Sequence, residues 1–501
     1  MGDGASPAHA ASALAEVPGG AAIAPRPGGP PDPPLVVDLD GCLIGSDLMV
    51  ETLVDALRRD PLVALRLPGW LLAGRARLKS ELAARGHVDV ATLPYHGALL
   101  GWLRDERARG RAVVLATASH RSLADAVAGH LGIFDEVIAT ADGVNLKGRA
   151  KADALVARFG AGRFDYAGDS VADRAVWRHA RRAVPVGLTP RALRRVPGEV
   201  ARTFAPEASR WRAVLRALRP HQWLKNLLVF VPMLAAHRTD DLQVLAATSL
   251  AFVAFGLCAS GAYVANDLFD LAADRRHPRK RLRPLAAGAV PLTWAVVAAP
   301  LLAAAGLALG AAVDLALCAV LAAYVAVTLA YSWVLKRYVL IDTMTLAGLY
   351  TARLLAGGAA GDIALSFWLL AFSMFLFLSL GMVKRHSELQ VVESLQRSAA
   401  HGRDYRVSDR SLLAMMGVAS GTVAVLVFAL YLDSATVVDG YVRPRALWLL
   451  CPLLLYWVNR VWIKAARGEM HDDPLVFAVR DRASYVLLAA IAVVVLAAGP
   501  L

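Results

Sequence analysis

From about Leu227 to the C-terminus, apolar residues come in long runs separated by short polar breaks. The runs lie near 224–237, 243–265, 290–310, 313–334, 340–360, 365–383, 412–432, 445–464 and 484–499. Several reach the roughly 18 to 25 residues that a helix needs to cross a bilayer. The pattern therefore predicts an all-α polytopic bundle of about nine crossings, the first and last being short. Before Ala205 the texture differs. Short β-branched runs, Leu35-Val-Val, Ala112-Val-Val-Leu-Ala-Thr117 and Phe164-Asp-Tyr-Ala-Gly, alternate with helical periodicities over 99–109, 122–130 and 150–159. That alternation predicts a parallel sheet covered by helices, an α/β Rossmann-like domain over 35–204. Ligands of such sheets bind beyond the carboxyl ends of the strands, where these runs place Asp38, Asp40, Thr117 and Asp169.

Composition sharpens this division. The 501 residues are 57% hydrophobic, with a mean hydropathy of +0.48 that is high for a soluble multidomain chain. A net charge of +13 would suggest nucleic acid in a soluble protein, but here the arginines crowd the breaks between apolar runs. The charge reads as topology and as binding of anionic ligands, and nucleic acid is not an expected partner. Cys42, Cys258, Cys318 and Cys451 are too far apart for metal-ligand spacing and are expected to be small buried hydrophobes. Residues 1–34, rich in Ala, Gly and Pro, are expected to be a disordered tail without signal-peptide character. Residues 205–223 read as a linker and interfacial segment leading into a membrane domain over 224–501. A helical insert at about 47–95 is expected to form a small cap over the N-terminal site. Its stretch 62–82 is apolar and edged by Arg66, Arg75, Arg77 and Lys79, which suits either an anionic membrane surface or packing on the core.

The polar strand ends carry a recognisable chemistry. Clustered carboxylates repel unless a cation joins them, and a phosphate monoester needs its charge offset before an anion attacks it. Lys151 offers a fixed positive charge, and the Thr117 hydroxyl offers a hydrogen bond. Taken alone, Thr117 also reads as a capping hydroxyl and Lys151 as a solvated lysine. The set in order, Asp38 and Asp40, then Thr117, then Lys151, then Asp169 and Asp173 in Gly-Asp-Ser-Val-Ala-Asp, resembles the haloacid dehalogenase-like phosphatases. The resemblance implies that Asp38 attacks phosphorus and that Asp40 protonates the leaving group and then activates water. It implies Mg²⁺ at Asp38 and Asp169, with Asp40 and Asp173 completing the metal site.

In the C-terminal part the basic residues fix an expected topology. The breaks at 266–289 and 384–411, the pair Lys336 and Arg337, and the last break with Lys464, Arg467, Arg480 and Arg482 all fall on one side. The other side has little beyond Arg238, Arg443 and Arg445. The positive-inside rule makes the rich side and the N-terminal domain cytoplasmic. In the first break, Asp267, Asp270 and Asp274 follow an i, i+3, i+7 spacing beside Asn266, so a continuous helix would put them on one face. Carboxylates at the end of an apolar helix are costly unless they bind a cation, and these suit Mg²⁺ gripping a diphosphate. A transporter or a purely structural membrane protein does not account for this acidic face.

The segment Asn266–Pro284 resembles the first Asp-rich motif of the UbiA superfamily of intramembrane prenyltransferases, and the resemblance spans about 216–501. Further signatures point to its polyprenyl-phosphate phosphoribosyltransferase branch. They are Arg219-Pro-His-Gln-Trp-Leu-Lys-Asn226, the run 274–284, Tyr331-Ser-x-x-Leu-Lys336, and Asp472-Asp473-Pro474 with Phe477 and Asp481. Superfamily members usually carry a second Asp-rich cluster; here Asp342 and Arg353 stand instead. The branch implies transfer of 5-phosphoribose from 5-phosphoribosyl diphosphate to a decaprenyl or undecaprenyl phosphate, with Mg²⁺ at Asn266, Asp267, Asp270 and Asp274. The alternative is a prenyltransferase using a prenyl diphosphate. Candidates to hold the phosphates are Lys225, Asn226, His277, Lys280, Arg283, Tyr331, Lys336, Arg337, Lys384 and Arg385, with Asp342 binding a second ion or pairing with a base. His277 equally suits a capping role. A multi-pass protein of a bacterial inner membrane is implied, with membrane lipids as partners and self-association expected. A lipid-linked phosphoribose would give the neighbouring phosphatase a substrate, yielding a precursor for envelope glycans.

Overall fold

The computed structural model describes residues 32–140, 146–206, 209–394, 403–470, Pro474, Phe477 and 481–499. They divide into two compact units. Of the expected tail 1–34, residues 1–31 lie outside the described residues, as do Asp472, Asp473 and Arg480.

The first unit is built on a six-stranded sheet: β1 Leu35–Val37, β2 Val113–His120, β3 Glu136–Thr140, β4 Asp165–Gly168, β5 Arg182–Pro185 and β6 Glu199–Val200. The order is β3-β2-β1-β4-β5-β6 and every pairing is parallel. All of β1 is buried, which is why it reads as an unbroken apolar run rather than an alternating one. Helices Gly97–Ala108, Arg121–Leu131 and Arg149–Phe159 lie close to the expected ranges. The second of these stops at Gly132, which takes the left-handed conformation. Val36, Val114, Leu155, Phe164, Tyr166 and Trp177 form the core beside the sheet. At the start of β4 the buried Asp165 accepts from Arg111, Arg181 and Arg182. Although burial alone would raise its pKa, Arg181 and Arg111 hold the Asp165 carboxyl below the usual range.

The second unit contains the C-terminal helices and also Ile44–Tyr95, the insert read from the sequence as a cap. In the insert, Asp47 caps Leu48–Arg59 by accepting from the amides of Met49 and Val50. Val63–Leu72 and Arg75–Arg85 follow. Val63, Leu67 and Trp70 of the middle helix turn into the insert's own core with Leu78 and Leu82, while Leu62, Leu65, Leu71 and Leu72 remain exposed. Val50 and Val54 of the first helix join a different core, with Val264, Leu268, Leu271, Leu285, Leu292 and Ala295.

Among the described residues, six helices are long and apolar enough to cross a membrane: Leu242–Phe269, Leu292–Val313, Leu315–Trp333, Phe367–Ser394, Val407–Leu432 and Pro444–Ala466. The other three expected crossings differ for identifiable reasons. The first run becomes a 3₁₀ helix, Pro220–Phe230, followed by the five-residue helix Val231–Ala235 containing Pro232, so it is not one spanning helix. Ile341–Gly361 is long enough but carries Asp342 and Arg353. Arg482–Ala498 is apolar but has 17 residues. Small residues bring the bundle together: a Cβ on Gly261 would lie 2.7 Å from the Ala299 carbonyl oxygen, and one on Gly306 would lie 2.5 Å from Cys258 Sγ.

Candidate active sites

In the sheet unit, the strand order decides which polar ends meet. Asp38 and Asp40 follow β1, Thr117 and Ser119 belong to its neighbour β2, and Asp169 and Asp173 follow its other neighbour β4. The turn after β1 passes so close to β4 that a Cβ on Gly41, at φ +78°, would lie 2.3 Å from an Asp169 carboxylate oxygen. Lys151 Nζ sits 2.8 Å from Asp38 Oδ2 and donates to Tyr166 Oη at 3.0 Å. Tyr166 in turn donates to Asp173 at 2.8 Å. Asp173 also accepts from the Ser170 hydroxyl at 2.7 Å and from the amides of Asp169 and Ser170, which fixes the loop.

Ligand oxygens of Asp38, Asp169 and Asp173 lie within 4.8 Å of one another, the one such group among the described residues. Burial, opposed by Lys151 and reinforced by Asp173, pushes the Asp38 carboxyl up to about 6. Burial with Asp173 and Asp38 pushes Asp169 up to about 8. Burial pulls Lys151 down, but Asp38 and Asp173 hold it above its ordinary value. Converging oxygen donors whose ionisation is suppressed by one another are a set that a small divalent cation fits. Asp40 points elsewhere: its Oδ2 accepts from the Ser119 hydroxyl at 2.6 Å and from Thr117 at 3.4 Å. Ser119 and Tyr166 were missed from the sequence, because a serine two residues past Thr117 on β2 and a core tyrosine carry no motif of their own.

In the helical unit, the expected continuous acidic face is interrupted. The 242–269 helix ends at Asp270, whose amide donates to the Asn266 carbonyl, and a new short helix, Leu271–Arg276, begins. Asp267 and Asp274, both 2% exposed, still face one another, because Arg283 donates to both, at 3.1 and 2.6 Å. Asp267 also takes Arg219 on both oxygens, at 2.5 and 2.7 Å. Asp270 turns away to Lys336 at 2.7 Å and Asn266 at 3.1 Å. Each acid therefore has a cation, and the three do not form a common ligand set among the described residues. Burial raises the Asp274 pKa against the pull of Arg283. Lys280 is lowered by burial and by Arg283, with Arg403 adding to the repulsion. Arg219 was not counted as a site residue from the sequence. It holds a left-handed backbone, φ 51°, immediately before Pro220, a conformation costly for a residue with a Cβ, and from there its guanidinium reaches the Asp267 carboxylate.

A second polar group surrounds Asp342, which is fully buried. Its partner is Arg385, not Arg353: Arg385 Nε lies 2.5 Å from Asp342 Oδ2, and Tyr331 donates to Oδ1 at 2.8 Å. Arg385 also pairs with Glu388, which Arg403 meets at 3.2 Å. Glu388 and Arg403 were missed, since only the tertiary fold brings the 331, 342, 385 and 403 regions together. Arg353 sits apart, donating to Asn226 Oδ1 at 3.0 Å, with its guanidinium 4.7 Å from the Phe255 ring. Lys225 lies 5.4 Å from the Tyr350 ring. His277 Nδ1 accepts from the amides of Arg279 and Lys280, the capping role. Arg337 is exposed and Lys384 partly buried.

The chain thus combines a bundle of apolar helices, with acids and bases gathered at the helix ends, and a parallel-sheet unit with a carboxylate and lysine centre. The chain belongs to the UbiA prenyltransferase family, whose model matches residues 227–480, and a haloacid dehalogenase-like hydrolase model matches residues 35–178. It is an integral membrane protein. It is 38% identical over 467 residues to "Uncharacterized protein y4nM" of Sinorhizobium fredii, covering 92% of this chain and 90% of that protein. It is 38% identical over 276 residues to "Nodulation protein NoeC" of Azorhizobium caulinodans, covering 55% of this chain and 90% of the relative. It is 34% identical over 282 residues to the "Decaprenyl-phosphate phosphoribosyltransferase" of Mycobacterium tuberculosis, covering 55% and 91%.

Proposed function

We propose that the helical unit transfers 5-phosphoribose from 5-phosphoribosyl diphosphate to a polyprenyl phosphate, releasing diphosphate, and that the sheet unit then removes the 5-phosphate. The observation that carries this reading is the commitment of Asp342 to Arg385 and Tyr331. An enzyme activating a prenyl diphosphate between two acidic clusters needs a second set of free carboxylates, and here that position is neutralised and buried. One acidic cluster remains, and the relative named decaprenyl-phosphate phosphoribosyltransferase supports an activated ribose as donor.

The residues suit that chemistry. Asp267, Asp270 and Asp274 supply hard oxygen donors, and Arg219, Arg283 and Lys336 already lie against them. Asp267 and Asp274, which Arg283 already brings together, would hold Mg²⁺, and that ion would draw electrons toward the leaving diphosphate. The bases would exchange their carboxylate partners for diphosphate oxygens, so charge stays balanced when the donor enters. Lys280, crowded by Arg283 and Arg403, sits where an anion relieves repulsion. The acceptor phosphate oxygen attacks the anomeric carbon as the bond to diphosphate breaks; it is already anionic and needs orientation more than a base.

In the sheet unit, Asp38 attacks phosphorus and the bond to the ribose C5 oxygen breaks. Asp40, fixed by Ser119, gives that oxygen its proton and then takes one from the water that hydrolyses the aspartyl phosphate. Lys151 and Thr117 hold the phosphoryl oxygens. Asp38 and Asp169, supported by Asp173, would hold Mg²⁺, which offsets the phosphate charge. We place the loops of Asp267, Lys336 and Lys384 on the cytoplasmic side of a bacterial inner membrane, together with the sheet unit. The test is mass spectrometry of lipid products after incubation with phosphoribosyl diphosphate and polyprenyl phosphate. Wild type is expected to give lipid-linked ribose, D38N the lipid-linked 5-phosphoribose, and D267N neither; prenyl diphosphate consumption without the ribose donor overturns the reading.

A further inference from the structure

The insert Ile44–Tyr95 leaves the sheet unit's sequence between Leu43 and His96, yet it belongs to the same compact unit as the transferase helices. Besides its apolar packing on the helices, three of its contacts fall on one loop. Glu51, on the Leu48–Arg59 helix, meets Arg275 in a two-pronged pair, Oε1 to Nη2 at 2.5 Å and Oε2 to Nη1 at 3.1 Å. Both side chains are nearly out of solvent, 6% and 5% exposed, although 224 positions separate them. The third donor of Arg275, Nε, reaches the Ala286 carbonyl at 3.2 Å. One guanidinium thus ties the Leu271–Arg276 helix to the insert and to the returning arm of its own loop.

Two further contacts act on the same loop. Gly45 and Gly288 pack backbone to backbone: a Cβ on Gly288, at φ +70°, would lie 2.9 Å from Gly45 Cα. Arg276 pairs with Asp89 at the far end of the insert, at 2.6 Å. The acid that matters is next in the chain: Asp274 precedes Arg275 and points to Arg283, which also holds Asp267. A buried charge pair contributes little net stability, but its fixed fork geometry admits few alternative arrangements of the loop.

We propose that Glu51 is a positioning residue of the transferase site: through Arg275 it sets the short helix that presents Asp274 and Arg283 to the donor. The insert, though lodged in the hydrolase sequence, is a working part of the transferase. This rests on the reading of Asp267, Asp270 and Asp274 as donor-binding acids, and the experiment separates the two.

Full-length wild type, E51Q and the charge exchange E51R/R275E are placed in lipid nanodiscs. Hydrogen exchange of 271–288 is expected to be about tenfold faster in E51Q, with β1 and β4 peptides unchanged, and to return toward wild type in the exchanged pair. The Mg²⁺ concentration for half-maximal diphosphate release is expected to rise about tenfold in E51Q and to recover in the exchanged pair, while p-nitrophenyl phosphate hydrolysis stays at the wild-type rate. Unchanged exchange of 271–288 in E51Q overturns the clamp. A loosened loop with wild-type diphosphate release overturns the positioning role. Wild type that releases no diphosphate from phosphoribosyl diphosphate refutes the donor reading instead, and the exchange data then judge the clamp by themselves.

Discussion

Replacing Asp342 by asparagine asks whether that carboxylate is a clamp or a metal ligand. The Arg385 to Asp342 contact of 2.5 Å corresponds to roughly 7 kcal/mol of gross attraction at an effective dielectric of about 20. Breaking a buried pair from one side costs about 3–5 kcal/mol net, because the stranded charge stays out of water. Glu388 still faces Arg385, so the lower end of that range is expected. At roughly 2.1 cal/mol/K per residue for a unit of about 350 residues, the midpoint in nanodiscs should fall by at least about 4 °C. D342N/R385Q, which removes both charges, should recover most of the loss, as paired removal of buried charges generally does. The surviving D342N enzyme should keep the wild-type Mg²⁺ dependence of diphosphate release. An unchanged midpoint with a tenfold higher Mg²⁺ requirement would refute the clamp and favour two acidic clusters around a prenyl diphosphate.

The remaining predictions concern the sheet unit. In the proposed reaction Asp38 attacks as the carboxylate, and burial pushes that carboxyl up to about 6, so p-nitrophenyl phosphate hydrolysis at limiting Mg²⁺ should fall as pH drops below about 6. Raising Mg²⁺ should move that limb to lower pH, and a limb insensitive to Mg²⁺ contradicts the assignment. Asp169 is raised from 3.8 to about 8 in the folded state, so its protonated form is the one folding favours. Metal-free protein should therefore lose sheet stability as pH climbs from about 4 to 8, and Mg²⁺ should restore it, as read by hydrogen exchange at β4. Greater metal-free protection at pH 8 than at pH 5 counts against this. Asp165 has the opposite sign: its lowered pKa gives stability above 3.8 that is lost as pH falls. D165N should cost about 3–5 kcal/mol at pH 7 by stranding Arg111 and its neighbours, and denaturant unfolding with wild-type stability would exclude that.

Much of the chemistry was legible because it is local. Asp38 and Asp40 follow one β-branched run, Asp169 follows another, and a strand that ends in a carboxylate declares itself without knowledge of its neighbours. Their mutual approach was legible only in outline, since the distances depend on β1 lying between β2 and β4. The acids at 267, 270 and 274 were readable by spacing, but the break at Asp270 was not. A helix end depends on how the following backbone packs, and here Arg283 and Lys336 pull adjacent acids in different directions.

The amino-acid sequence by itself determined what short-range physics encodes: runs of apolar residues long enough for a bilayer, β-branched strands with polar ends, and the identity of the charged groups. Tertiary structure alone decided the partners of those charges. Asp342 could have bound an ion or a base, and the packing of helices 341–361 and 367–394 gave it Arg385. The partners of the insert are likewise absent from its spacing: Val50 and Val54 pack with Val264, Leu268, Leu285 and Leu292, and Glu51 pairs with Arg275. Long-range pairing depends on which surfaces meet in three dimensions, and residue spacing carries no record of that.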